Sequence, residues 1–124
     1  MKYKYTAEQF KAYKTHCESY LKLFGITEWD VDYKHHKIDG AARVSYNNSG
    51  RLACFQLTTK GIVDFCYHDD MQKLALHEVL HLLLADIATS KESPEEIAIE
   101  HTVIQRLIKA ITKGESNDWG KILT

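Results

Sequence analysis

The chain has 124 residues, of which 44% are hydrophobic and 27% charged, a composition typical of one soluble globular domain. Its formal net charge is −1, so no basic excess favours binding to nucleic acid or to an anionic membrane surface. The odd number of cysteines without a CxxC spacing argues against a disulfide framework, and the first residues lack the apolar segment of a signal peptide. We therefore expect a single domain over residues 1–124, located in the cytoplasm and not inserted in a membrane.

The first predicted element is a helix over residues 7–24. Thr6 and Gln9 form a capping-box pair before it, and Gly25 is a suitable stop after it. The apolar residues of this segment recur at helical spacing, and we expect them to face the core. They are Phe10, Tyr13, Cys17, Tyr20, Leu21 and Phe24.

Alternating patterns then predict a sheet. Trp29, Val31 and Tyr33 alternate with aspartates, which is typical of a strand with one buried face. The segment NNSG at 47–50 is a turn signal. The predicted strands cover residues 29–33, 41–46, 51–58 and, as a candidate fourth, 62–66. We expect a three- to four-stranded, mainly antiparallel sheet with the strands in consecutive order.

Two further helices complete the expected order. One begins after Asp69 or Asp70, either of which can cap it, and ends near residue 87. The other has Ser93 as its N-cap and Pro94 at its first position, continues to about residue 112 and stops at Gly114. A helix, then strands, then two helices predicts an α+β domain.

The segment 74–84, LALHEVLHLLL, places His77, Glu78 and His81 within a run of leucines, in the pattern HExxH. Histidines four residues apart lie on one face of a helix, so both imidazoles can reach a single ion. Glu78 can contact a water on that ion without binding the ion itself. Unpaired polar groups are costly in an apolar helix, which favours a zinc site. The alternative is two hydrogen-bonded histidines on a half-exposed face, with Glu78 solvated.

A catalytic zinc requires three protein ligands and one open position. The last predicted helix offers Glu100 and His101, both on or beside its apolar stripe. Glu95 and Glu96 lie in its first turn, where the helix dipole already accounts for carboxylates. Glu100 lies two turns in, among isoleucines, and has no such explanation. We therefore favour Glu100 as the third ligand, and His101 remains the alternative.

The residues HEVLH, followed by EH at 100–101, resemble the zincin metallopeptidases, in particular the gluzincins, whose third ligand is a glutamate on a downstream helix. The short length and the element order resemble the minimal zincin-like domains of small metallopeptidases encoded by phages and prophages, and in part those that cleave phage repressors. The likeness covers the motifs of residues 77–104 and is architectural elsewhere. It implies that His77, His81 and Glu100 bind Zn²⁺ and that Glu78 is the general base.

One position departs from the family pattern. Thermolysin-like enzymes carry an aspartate four residues after the third ligand, where it orients a histidine, and this chain has Ile104 there. Either another group orients the histidine, or the third ligand is a different residue.

The resemblance implies zinc-dependent hydrolysis of peptide bonds in a protein substrate, by an endopeptidase with Glu78 as the base for a zinc-bound water. His68, Tyr67 and His101 are candidate donors to the transition state. The strand at 51–58 is expected just before the site, where zincins use an edge strand to hold an extended polypeptide. Such a small domain also suggests a regulatory protein partner or a homodimer.

Three other functions are weighed against this one. The first is a zinc-binding domain without catalytic activity that acts through protein interaction. The second is a metal-free helical interaction module, and the third, a nucleic-acid binder, is disfavoured by the charge. The pair His35 and His36 has no cysteine or acidic residue at metal-ligand spacing, so we expect it to lie at a strand end or in a loop.

Overall fold

The structure is a computed structural model that describes residues 2–62, 70–85 and 94–116. It confirms the α+β class, with an N-terminal helix, a three-stranded sheet and two further helices. Backbone contacts divide the chain into two compact units, Met1–Thr89 and Ser90–Thr124. The single domain over 1–124 stays a prediction. The elements are β1 (Lys2–Lys4), α1 (Ala7–Leu23), β2 (Asp30–His35), β3 (Ala42–Asn47), β4 (Leu52–Leu57), β5 (Lys60–Ile62), α2 (Met71–Leu83) and α3 (Pro94–Ser116).

The first helix, α1, forms as the sequence predicts. The Thr6 hydroxyl accepts a hydrogen bond from the Gln9 backbone N–H at 3.1 Å, and the Gln9 side chain accepts one from the Thr6 N–H at 2.9 Å. The two bonds satisfy donors that would otherwise be unpaired at the helix start. After the helix, Gly25 has a φ of 68°, which glycine adopts with little strain. The buried side chains of α1 are Tyr13, Cys17, Tyr20 and Leu21, all members of the predicted apolar stripe.

The three-stranded sheet has the order β2-β4-β3 instead of the consecutive order that we expected. Strand β4 pairs antiparallel with β3 and parallel with β2. It is also the most buried strand, with Ala53, Phe55, Gln56 and Leu57 all buried, whereas β2 and β3 alternate between exposed and half-buried residues. A strand buried on both sides suits the centre of a sheet. The strand that we expected at the edge is therefore the central one.

A second, two-stranded sheet pairs β1 with β5 in antiparallel fashion. The sequence did not predict β1, because three residues of the pattern Lys-Tyr-Lys are too few to show a period. The predicted fourth strand at 62–66 overlaps β5 at Ile62, and its other residues lie outside the described ranges.

The core of the first unit lies where α2 packs against α1 and β3. Large side chains from all parts meet there, including Tyr13, Phe55, Leu76 and Leu80, each fully buried. Helix α2 ends at Leu83, earlier than predicted, with Leu84 as its C-cap. Burial of the leucines on α2 contributes to the stability of this unit.

The second unit contributes α3. Its first residue is Pro94, as predicted, and the helix continues through Gly114 to Ser116. Three of its side chains are buried at a spacing of four residues: Glu100, Ile104 and Ile108. Among the described helices, none combines the length and the apolar character that crossing a bilayer requires.

Candidate metal centre

Helix α2 presents the HExxH residues from a well-capped start. The Asp70 side chain accepts a hydrogen bond from the Lys73 backbone N–H at 3.1 Å. Of the two N-cap candidates in the sequence, Asp69 and Asp70, it is therefore Asp70 that caps α2. Eight residues of the helix are buried, and Glu78 is the single charged residue among them. His77 and His81 are half-buried at the margin of that buried face. The helix therefore combines a packed apolar side with a polar margin.

His77 and His81 point toward each other across one helical turn. Their Nε2 atoms are 3.2 Å apart, and their ring centroids are separated by 4.9 Å with an interplanar angle of 59°. Two nitrogen ligands of a tetrahedral zinc, each about 2.0–2.1 Å from the ion, lie roughly 3.3–3.4 Å from one another. The pair thus fits two positions of a zinc ion with little adjustment. The same distance also suits a hydrogen bond in which one protonated ring nitrogen donates to the other.

Glu78 is only 7% exposed. Its burial raises the pKa of the carboxyl from 4.5 to about 8, and two features oppose part of that rise: a hydrogen bond from the Val44 backbone N–H and the nearby positive charge of Arg43. Without a metal the carboxyl is therefore largely protonated at neutral pH. The sequence alternative in which Glu78 is solvated is wrong, because the helix turns this side chain toward β3.

Two further polar groups share the buried surroundings of Glu78. Tyr13 and Cys17, one turn apart on α1, are fully buried. Burial is the main cause of the raised pKa of both groups, and the charge of Glu78 raises both further. The Tyr13 hydroxyl lies beside the Cys17 thiol, and no nitrogen or oxygen atom within the described ranges is hydrogen-bonded to it. The sequence assigned both residues to the apolar stripe and gave no signal of their proximity to Glu78.

The remaining predicted site residues belong to other segments of the sequence. Glu100 is buried on α3, with 7% of its surface exposed, and the adjacent His101 is exposed. Burial of Glu100 agrees with the expectation that it is not an ordinary surface carboxylate. Ile104, where thermolysin-like enzymes have an aspartate, is fully buried. His68 and Tyr67 lie outside the described residues.

The other histidine pair has structural partners. His35 Nε2 lies 3.1 Å from the Tyr5 carbonyl oxygen and donates to it, and its ring stacks on Phe10 at a centroid distance of 5.0 Å. His36 Nε2 lies 2.7 Å from Gln56 Oε1. These hydrogen bonds give both imidazoles a partner within the protein.

The exposed face of the sheet carries a shallow groove of about 420 Å³. Its lining comes from β2, β3 and β4 and includes Asp32, Ser45 and Cys54. None of the predicted site residues that the structure describes lines it. Comparison with protein-family models, with curated proteins and with solved structures found no match to this chain.

Proposed function

We propose that this protein is a zinc-dependent peptidase in which His77 and His81 bind the metal and Glu78 is the general base. The observation that carries the proposal is the 3.2 Å separation of the two imidazole Nε2 atoms on adjacent turns of α2. Imidazole nitrogens favour zinc over harder cations such as Mg²⁺ or Ca²⁺, which prefer oxygen ligands. A buried carboxyl between the two histidines in sequence adds the acid–base group that hydrolysis requires.

The chemistry divides between the metal and the chain. When bound, zinc supplies an activated water and polarises the scissile carbonyl. Glu78 takes a proton on its carboxylate and delivers it to the leaving amine, so it must be ionised at the start of the cycle. A nearby divalent cation favours the ionised form and lowers the pKa of the carboxyl from its metal-free value of about 8.

A third protein ligand is required for a catalytic site, and we propose that α3 supplies it. Glu100 is the first candidate, because its carboxylate is buried on α3 and carboxylate oxygens are common zinc ligands. His101 is the second candidate, and its imidazole is chemically as suitable. His68 and Tyr67 remain candidates for a transition-state donor on sequence grounds alone.

A polypeptide substrate is supported by the free side of β3. Strand β3 pairs with β4 on one side, and no described strand pairs with its other side. An extended peptide can add to such an edge through backbone hydrogen bonds, which select for polypeptide over other polymers. We assign the role of substrate-binding edge strand to β3, because β4, the strand first expected in that role, lies at the centre of the sheet. A regulatory partner or a homodimer remains part of the proposal, and nucleic acid does not.

The first experiment is the metal content of the purified protein by elemental analysis. We expect one zinc per chain in the wild type and in His36→Ala, a control whose imidazole is bonded to Gln56. We expect loss of zinc in His81→Ala, and weakened binding in whichever of Glu100→Ala and His101→Ala removes the third ligand. No zinc in the wild type, even after purification with added metal, would reject the proposal in favour of a metal-free interaction module.

A second function, a zinc-binding domain without turnover, is favoured by one specific observation, the deep burial of Glu78. The variant Glu78→Gln distinguishes the two functions, because it removes the general base and leaves both histidines in place. Hydrolysis of a peptide library by the wild type, lost in Glu78→Gln while zinc stays bound, supports the peptidase. Bound zinc without hydrolysis of any library peptide supports the interaction domain.

A further inference from the structure

Helix α3 carries a pair of large apolar side chains that are exposed to solvent. Ile99 is 64% exposed and Val103 is 41% exposed, whereas the buried residues of the helix, Glu100, Ile104 and Ile108, lie on another face. Ile99 and Val103 are four residues apart, so they lie side by side on adjacent turns. Single exposed apolar residues are ordinary on a protein surface, but adjacent ones on a helix form the pattern of a contact surface.

A charged residue closes each end of this apolar pair. Glu96 precedes Ile99 by three residues, Arg106 follows Val103 by three, and both are exposed. The positions 96, 99, 103 and 106 thus have the alternating three- and four-residue spacing of the contact face in a coiled coil. The helix dipole accounts for a carboxylate in the first turn, but Arg106 lies in the middle of α3, where the dipole has little effect.

The order acidic, apolar, apolar, basic is complementary to itself when it is reversed. In an antiparallel pair of α3 helices related by a two-fold axis beside residue 101, Ile99 meets the partner's Val103 and Glu96 meets the partner's Arg106. Each contact occurs twice, so four apolar side chains lie between pairs of opposite charges at both ends. A parallel pair would instead place like charges side by side. Charge therefore favours the antiparallel copy.

The residues beside this face fit the same alignment. Glu95 and Lys109 are exposed on one flank, and the two-fold axis brings each Glu95 to the partner's Lys109. Thr102 lies on that flank near the axis, and its hydroxyl donates a hydrogen bond to the Ala98 carbonyl at 2.9 Å, so it brings no unsatisfied donor into the contact. The other flank carries Glu100, whose side chain is buried in its own chain and does not face the partner.

We propose that this face of α3 is the interface of a homodimer, in which two copies of the chain pair antiparallel through Ile99 and Val103. The proposal gives the homodimer suggested above a defined surface, and it depends on neither zinc nor hydrolysis. His101, a candidate metal ligand, lies about 200° around the helix from Ile99, on the opposite side. The dimer therefore leaves that imidazole open to its own chain.

The contact is short, which sets its expected strength. From Glu95 to Lys109 the helix rises about 21 Å at 1.5 Å per residue, and the apolar centre consists of two residues from each copy. Contacts of this size fall at the low end of the interfaces that form specific complexes. We therefore expect a dimer in exchange with the monomer, with a Kd on the order of 10 µM.

Sedimentation equilibrium of the EDTA-treated full chain between about 1 and 300 µM tests the interface, because this range brackets a micromolar Kd. We expect Ile99→Glu and Val103→Glu each to raise the Kd of the dimer about tenfold or more, since each places a charge in the apolar centre. Leu23→Glu is the matched control: Leu23 is 66% exposed on α1, outside the interface, and this variant should keep the wild-type Kd. A wild type that is monomeric over the whole range, or an equal loss of dimer in Leu23→Glu, overturns the proposal.

Exchange of the charged residues tests the antiparallel alignment and distinguishes a lost contact from a lost fold. Glu96→Arg and Arg106→Glu each oppose like charges across the two-fold axis, so each alone should raise the Kd about fivefold or more at low salt. The double variant restores opposite charges and should return the Kd to within about twofold of the wild type. A double variant as weak as the two single changes combined overturns the proposal. Absence of zinc from the purified protein rejects the proposed peptidase and leaves this result unaffected, because the dimer is measured without metal.

Discussion

The burial of Glu78 predicts an unusual dependence of stability on pH in the metal-free protein. The folded state raises the pKa of this carboxyl from 4.5 to about 8. Between these two values the folded protein retains a proton that the unfolded chain releases. The free energy of unfolding must therefore fall as pH rises from about 4.5 to about 8, and it levels off above that range. This is the opposite of a carboxylate stabilised by a salt bridge.

The size of the effect follows from the displacement of the pKa. Each pKa unit corresponds to about 1.4 kcal/mol, so the loss amounts to roughly 5 kcal/mol as an upper limit. Water entry and rearrangement around the ionised carboxyl will reduce it. Glu78→Gln is neutral at every pH and resembles the protonated acid in shape. We expect it to match the wild type near pH 4.5 and to be more stable by about 2–4 kcal/mol at pH 8.

The assay is urea denaturation of EDTA-treated protein at several values between pH 4.5 and 9, for the wild type and for Glu78→Gln. The two proteins share every other titratable group, so the difference between the curves isolates Glu78. Glu18→Gln, a change at an exposed position of α1, is the control and should show no comparable divergence. A difference between wild type and Glu78→Gln that does not change with pH would refute the reasoning.

Three other predictions concern stability and are checked by urea denaturation at one pH. Tyr13→Phe removes a buried hydroxyl with no nitrogen or oxygen partner in the described ranges, so it should change the free energy of unfolding by less than about 1 kcal/mol. Tyr20→Phe removes the acceptor of a 2.9 Å hydrogen bond from Gln72 and should lower the free energy of unfolding by about 1 kcal/mol or more. If Tyr13→Phe proves the costlier of the two, its hydroxyl has a partner after all. Thr6→Ala removes the capping box of α1 and should cost about 1 kcal/mol, and no loss would mean that the cap is not formed. Phe55→Ala, at a fully buried position of the central strand, should cost roughly 3–5 kcal/mol, and a much smaller cost would contradict the close packing of the core.

The sequence predicted the helices better than the sheet, for a physical reason. Helix signals are local: the Thr6 and Gln9 cap, the Asp70 cap and Pro94 at the start of α3 all depend on residues a few positions apart. Strand order depends on pairing between distant segments, and nothing local shows that β4 inserts between β2 and β3. Residues 52–55 of β4 form a short continuous apolar run, which is compatible with a central strand but does not identify its neighbours.

The candidate site divides in a similar way. The proximity of His77 and His81 follows from their spacing on one helix, and it could be predicted from the sequence alone. The contact between Glu78 and Val44 joins a helix to a strand and has no signature in either segment. The third ligand, the zinc, the substrate, the cytoplasmic location and the phage relationship stay predictions.

The open side of β3 also bears on the solubility of the protein. An edge strand with unpaired N–H groups is a template onto which another chain can add, and proteins limit this risk by covering or occupying such groups. Helix α2 packs against β3, so part of this strand is covered by the chain itself. Substitutions that loosen α2 would uncover it and favour self-association of the sheet. The packing that holds the two histidines in place would then also limit aggregation, a role that persists when no metal is bound.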